Sequence, residues 1–239
     1  MNAITSISGD GPWHAGERSV QEHVGVAQRM QELGPRVVRH WMPEQHQRFF
    51  EQLPFILVGS VDGQGRPWAS VLTGHPGFVQ APDANRLEFD ARPIEGDPLA
   101  QALIPGAGLG LLGIELHTRR RNRASGHVTQ VREHGFTLAI DQSVGNCPRY
   151  IQGREFAWAR DADDLQPRGI DAMTALDDEA RAMVARADTL FVATAAPQQD
   201  GDGDRGADVS HRGGRSGFVK IEDERTLLVP DYAGNNFFM

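Results

Sequence analysis

Cysteine is nearly absent from this chain of 239 residues. Cys147 stands alone, which excludes an internal disulfide framework and fits a reducing compartment. No run of about 18 apolar residues exists to cross a bilayer, and MNAITSISGDGPW lacks the basic segment and apolar run of a signal peptide. The expected location is therefore the cytoplasm. Positive charge is also short: 24 Lys and Arg face 32 Asp and Glu, a net charge of −8. That balance disfavours coating of nucleic acid or membranes as the main task. Nine histidines show no HxxH or HExxH spacing and no paired cysteine, so no metal site is expected. Ser-His-Asp catalysis has no nucleophile-elbow signature. With an apolar fraction of 39%, a packed globular core is expected rather than wholesale disorder.

What the chain does have is a repeated phrase. Ser70–Val79 reads SVLTGHPGFV and Ser210–Val219 reads SHRGGRSGFV, aligned without a gap, and the register continues to pair Asp83 with Asp223 and Leu87 with Leu227. Each copy has a small polar residue leaving a strand, glycines in a tight connection, then Gly-Phe-Val entering the next strand. Glycines so placed belong to backbone that bends sharply or is closely approached. A whole supersecondary unit said twice implies two related half-structures.

Read in order, residues 1–16 form a polar arm, and a helical pattern over Glu17–Leu33 is stopped by Gly34-Pro35. Pro43–Leu53 is a second helix with Phe49, Phe50 and Leu53 on its apolar face. Strands are predicted at Phe55–Val61, Pro67–Thr73, Gly77–Gln80, Arg86–Ala91, Leu109–Leu116, Gly126–Arg132 and Phe136–Asp141, with a short helix after Asp97-Pro98. Val144–Glu155 reads as irregular. A helix at Asp177–Ala187, a strand at Leu190–Ala195, a mobile Pro197–Gly206 connection and strands at Gly217–Ile221 and Thr226–Val229 complete the series. The predicted organisation is an arm with two helices (1–53), a first barrel (54–143), a connector with a helix (144–188) and a partial second copy (189–239). The class is mainly β (α+β), with a small closed or split barrel and flanking helices. The second copy is half a barrel, to be completed by another chain or by a longer sequence.

Gly108-Leu-Gly110-Leu-Leu-Gly113 matches GxGxxG formally, but a strand rather than a helix follows, so it is read as a chance match. Arg119-Arg120-Arg121-Asn122-Arg123 is the densest positive charge in the chain. Alternation along a strand would send Arg119, Arg121 and Arg123 to one face and Arg120 to the other. Three guanidiniums on one face suit a phosphate or carboxylate, although a solvated edge strand blunted by charge has the same composition. Ser70 and Ser210, with a cationic His211, Arg212 and Arg215, form a second candidate anion site, or else exposed turns. Cys147 beside Pro148 reads better as a buried small residue than as a reactive thiol.

GRPWASVLTGHPGFV, LLGIELHTRRRNRASG, GNCPRYIQ and the segment from SHRGG to PDYAGN, in that order, resemble the FMN-binding split-barrel superfamily of pyridoxamine 5′-phosphate oxidase, in its bacterial branch with two tandem halves. The resemblance covers residues 40–239. It implies a split barrel that binds FMN at an interface between barrels, in a homodimer, and an oxidoreductase acting on an unknown small molecule. It places Trp68, Ala69, Ser70 and Val71 on the strand that lines the flavin, and Phe89-Asp90 beside the isoalloxazine ring. Arg121 falls near the flavin pyrimidine edge, and Ser210, Arg212 and Asn235 take comparable places in the second copy. The sequence departs from the family at Glu95-Gly96-Asp97, where the oxidases carry cations for the phosphate. The phosphate is therefore expected at Arg212, Arg215 or the Arg119–Arg123 run. The alternative is a non-catalytic module that holds flavin or another anion, flavin-free if the second half is degenerate.

Overall fold

The computed structural model of the chain describes residues 11–159, 161, 164, 171–196, 206–234 and 236–237. It begins with two helices where one was expected: α1 (Ala15–His23) and α2 (Ala27–Val37). His14 accepts from the backbone N–H of Gly16 and Glu17, and the Glu17 carboxylate accepts from the N–H of His14, a reciprocal cap that fixes where α1 starts. Gly25, at φ +73°, ends it in the left-handed region. Gly34-Pro35 does not stop the second helix but lies inside α2. Gly34 is there for packing, because a Cβ at that position would come within 2.8 Å of the Trp13 indole nitrogen.

Next come β1 (Val38–Arg39), α3 (Glu44–Glu51), β2 (Phe55–Val61), β3 (Pro67–Thr73), β4 (Val79–Asp83) and β5 (Arg86–Phe89). The β2–β3 hairpin is locked by Asp62, whose carboxylate accepts from the Gln64 and Arg66 N–H groups, Arg66 Nε and the Trp68 indole. After α4 (Leu99–Ala102), three long strands follow: β6 (Gly108–Glu115), β7 (Arg120–Arg132) and β8 (Gly135–Asn146). All pair antiparallel in the order β3-β2-β6-β7-β8-β5-β4, with β1 added on β8. The end strands β3 and β4 do not pair, so the sheet is open rather than closed. The fold is mainly β with flanking helices, the class the sequence predicts.

Alternation sorts the sheet into two faces. Ile56, Val58, Leu109 and Leu111 join Phe49, Phe50 and Leu53 of α3 in the main core. Phe89 and Phe136 stack there at 4.3 Å. Gly113 makes room for α3, since its Cβ would meet Leu53, Phe49 and Phe50 at 3.0 Å or less. Leu57, Leu112 and Ile114 point the other way, into a smaller cluster with Ile151 and Val209.

That second face is covered by the later part of the chain. Asp177 caps α5 (Asp178–Arg186) through the N–H of Ala180. Then come β9 (Thr189–Ala195), β10 (Ala207–Gly213), β11 (Lys220–Ile221) and β12 (Leu227–Leu228), paired as two separate hairpins. The predicted Pro197–Gly206 connection lies outside the described residues except for Gly206. β10 rests on β2 and β6. The two glycine corners have the same construction: a Cβ on Gly74 would lie 2.4 Å from Phe78, and one on Gly214 would lie 2.6 Å from Phe218. Gly77 and Gly217 both take left-handed φ values, +100° and +77°. Each corner closes with the same bond, Phe78 N–H to His75 O and Phe218 N–H to Arg215 O. Among the described residues, no helix is long and apolar enough to cross a membrane.

Candidate anion-binding site

Adjacent arginines at the start of β7 go to opposite faces. Arg120 lies over the Phe49 ring at 5.2 Å, on the α3 side. Arg121 and Arg123, cross-strand partners of Ile114 and Leu112, face β10. Between β7, β10, α2 and the segment from Pro230 onward lies a cavity of about 280 Å³. Arg29, Arg121, Arg123, Arg149 and Arg212 line it, and Asp231 is the one carboxylate among its described lining residues. Met30, Leu112, Tyr150, Phe218 and Tyr232 supply apolar and aromatic wall.

Arg121 donates from Nε to the Cys147 carbonyl at 2.9 Å, and its Nη1 lies 3.2 Å from His211 Nδ1. Guanidinium only donates, so Nδ1 accepts and the proton of the neutral ring sits on Nε2. Burial lowers the His211 pKa to about 4, and the charges of Arg121 and Arg212 push the same way. The cationic His211 expected from sequence is therefore a neutral imidazole, 4% exposed. Its Nε2 has no hydrogen-bond partner among the described residues.

Arg123 is 6% exposed, with Nη2 paired at 2.9 Å to Asp208 Oδ1 of β10 and Nε unpartnered among the described residues. Arg212 donates to its neighbour's carbonyl, His211 O, at 3.2 Å. Burial and the nearby Arg123 lower its pKa, while Asp231 opposes them. Close to the Arg123–Asp208 pair lies Glu17 of α1, 6% exposed, its pKa raised to about 7 first by burial and next, among the raising effects, by Asp208. The His14 backbone N–H, Arg123 and Arg18 lower it by less.

The far wall is the turn after β8, where the sequence offered only irregularity. Tyr150 sits at φ +64°, a left-handed conformation that non-glycine residues adopt at a cost. It is held there from two sides. Its hydroxyl donates to Ala233 O at 2.9 Å, and a Cβ on Gly213 would lie only 2.1 Å from Tyr150 O. Arg149 also donates to Ala233 O, at 3.1 Å. Cys147, expected buried, is an exposed free thiol on the cavity wall, because the turn carries it past the end of β8.

Of the residues singled out in the sequence, Arg121, Arg123, Cys147, Ser210, His211 and Arg212 meet at this cavity. Arg119 does not: it occupies the turn before β7 at φ +56°, packed by Gly153, so strand alternation never reaches it. Trp68, Ala69 and Val71 are exposed on β3, and the buried Ser70 donates its hydroxyl to Asp97 at 2.6 Å. Phe89 is in the main core, Asp90 is exposed beside it, and Arg215 is exposed in the second corner. Asn235 lies outside the described residues. Sequence reasoning passed over Arg29, Arg149 and Tyr232, whose nearness to β10 comes only from chain reversal. The Arg149-Tyr150 pair beside Cys147-Pro148 was the available signal.

No family model matches this chain, and no curated protein matches it. Solved structures do. HupZ of Group A Streptococcus is 10% identical with a TM-score of 0.35, the match covering 44% of this chain and 94% of that one. The heme storage protein HutZ from Vibrio cholerae is 13% identical with a TM-score of 0.29, covering 44% and 94%. An F420 reductase is 11% identical with a TM-score of 0.30, covering 44% and 98%. All three are split-barrel proteins of the pyridoxamine 5′-phosphate oxidase type.

Proposed function

We propose that this chain binds a planar, phosphorylated cofactor of the FMN class in the arginine-lined cavity and serves as a cytoplasmic flavin-dependent oxidoreductase, acting as a homodimer. The observation that carries this reading is one of charge. In a protein of net charge −8, Arg29, Arg121, Arg123, Arg149 and Arg212 converge on a space with a single described carboxylate, Asp231. Guanidiniums suit phosphate through charge-assisted, bidentate hydrogen bonds. Tyr150 and Tyr232, with ring centroids 5.2 Å apart, suit a flat aromatic ligand beside it.

Two further features fit such a group. The buried Arg123 Nε and His211 Nε2 are donors without a described acceptor, which an anionic ligand would satisfy. The volume of about 280 Å³ lies near the lower end for ligand sites, about 300 Å³, so it would enclose only part of a ligand as large as FMN. Bound FMN would supply the redox chemistry. Arg121 and Arg212 would hold its negative charge, and His211, neutral, would donate rather than add a cation. The alike corners at Gly74 and Gly214 support reading β9–β12 as a second copy of β2–β5.

Equilibrium dialysis with FMN and riboflavin tests this. FMN should bind at least about tenfold more tightly, as expected for charge-assisted bonds to a phosphate. Equal affinity, or none for either, overturns the reading.

The Ser70–Asp97 bond favours a second reading, a flavin-free anion-binding module. It places a carboxylate where the first corner would need a cation. Phosphate binding without FMN binding would select it.

A further inference from the structure

We propose that Arg123 and His211 form an oxyanion seat at the floor of the cavity, so that a planar aromatic acid or phosphate ester enters oxyanion first and leaves its ring at the rim. This direction of entry deepens the cofactor reading above and, for FMN itself, rests on it. The seat does not.

Exposure grades the cavity from floor to rim. Arg123, Ser210 and His211 are buried, Arg121 and Arg212 are half-buried, and Arg29, Arg149, Tyr150 and Tyr232 are exposed. The tyrosine pair therefore stands at the mouth. At the bottom lie Arg123 Nε and His211 Nε2, both in side chains more than nine-tenths buried and both unpartnered among the described residues.

These two donors are held in place by the protein itself. Asp208 fixes the Arg123 guanidinium through Nη2 at 2.9 Å. The His211 ring packs against Phe191, with centroids 5.7 Å apart, and against Gly213, whose Cβ would lie 2.8 Å from His211 Cε1. Arg121 is a positioning residue here: its Nη1, 3.2 Å from Nδ1, decides that the proton stays on Nε2. Donors fixed in advance away from water stabilise negative charge without the cost of reorienting.

The pair also selects its ligand. Arg123 and His211 offer the cavity only N–H groups, so the group they suit accepts and does not donate, as a carboxylate or phosphate oxygen does. A cationic His211 would repel Arg121 and Arg212, whereas the neutral ring adds a hydrogen bond without that repulsion. At the rim, Tyr150 already donates its hydroxyl to Ala233 O, and what it offers a ligand is its ring.

The test uses the full chain, labelled with 15N at Arg and His and titrated with phenyl phosphate, benzoate and benzamide. Before any ligand is added, His211 should show a bare Nδ1 and a protonated Nε2. Phenyl phosphate or benzoate should shift the Arg123 Nε–H and His211 Nε2–H signals and leave Arg120 Nε–H still, and benzamide should shift neither. Tighter binding of phenyl phosphate assigns the seat to phosphate esters, and tighter binding of benzoate assigns it to acids. By calorimetry, His211→Leu should weaken phenyl phosphate about tenfold, as for a lost buried hydrogen bond, and His211→Gln, which keeps an N–H, should recover most of it. Tyr232→Leu should weaken phenyl phosphate and leave inorganic phosphate as in wild type. The opposite direction of entry predicts losses in Arg29→Ala and Arg149→Ala with none in His211→Leu, and that pattern overturns the proposal. A protonated Nδ1, or unmoved Arg123 and His211 signals with phenyl phosphate bound, overturns it as well. If phenyl phosphate moves both signals and FMN does not bind, the seat stands and the cofactor reading fails. If FMN binds with both signals still, the cofactor reading stands and the seat fails. Binding of neither ends both.

Discussion

Gly59 of β2 and Gly110 of β6 lie directly opposite one another in the sheet, and both stand beneath the same stretch of β10. A Cβ on Gly59 would be 2.7 Å from Asp208 O, and one on Gly110 would be 2.2 Å from Ala207 O. This bare patch lets two backbones touch. It carries Val209 into the smaller core and Asp208 to Arg123, and so sets one wall of the cavity.

Gly110→Val should therefore separate β10 from the sheet. The expected loss is about 1–3 kcal/mol from overpacking, with weaker anion binding. Gly63→Ala, where a Cβ meets nothing within 4 Å, should change stability by less than about 0.5 kcal/mol. Urea unfolding of the two variants compares them, and equal losses would remove the glycine patch as the cause.

Arg120 and Arg121 give the sharpest test of the register. Arg121→Ala should weaken FMN binding by about 10- to 100-fold, as for a lost charged hydrogen bond. Arg120→Ala should leave binding alone and cost about 0.5–1 kcal/mol of stability through its contact with Phe49. Equal effects on binding would falsify the assignment of faces.

Ser70→Ala should cost about 1 kcal/mol by freeing Asp97, which also caps the Leu99 N–H. Ligand affinity should stay as in wild type. A marked loss of affinity would return β3 to the binding site.

Glu17 and His211 should oppose one another as pH changes. Folded Glu17 keeps its proton to about 7 against an ordinary 4.5, so across that interval the folded state holds more protons and stability falls as pH rises. Folded His211 releases its proton near 4 against an ordinary 6.5, so there the unfolded state holds more protons and stability falls as pH falls. Each is worth about 3 kcal/mol over its full window, and between 4.5 and 6.5 the two slopes cancel. Glu17→Gln should unmask a stability that climbs with pH, and His211→Gln one that declines. Chemical unfolding at several pH values reads both, and parallel curves for the two variants would refute the assignment.

The strands of the large sheet were legible because alternation and turn chemistry are local. Phe55–Val61 and Pro67–Thr73 are the observed β2 and β3 to the residue. The split between Arg120 and Arg121 was legible for the same reason. Arg119 was misplaced because its left-handed turn leaves no trace in an arginine-rich run. Gly34-Pro35 reads as a stop signal, and only the tertiary packing of Trp13 against Gly34 explains why a glycine stands inside the helix. The neutrality of His211 follows from burial beneath β9 and β7, which no residue near it in sequence announces. Arg29, Arg149 and Tyr232 needed the fold itself to bring them together.

One bond near the edge of the cavity bears on how the molecule is made. Gln21 Nε2 donates to Phe237 O across 216 positions of sequence, and Trp13 meets the Phe237 ring at 5.1 Å. Closing so long a loop is slow relative to hairpin formation. The eight-stranded sheet, built from nearer neighbours in sequence, can assemble before this clasp closes. A ligand added during refolding should therefore leave the early phase untouched and act only on the last one.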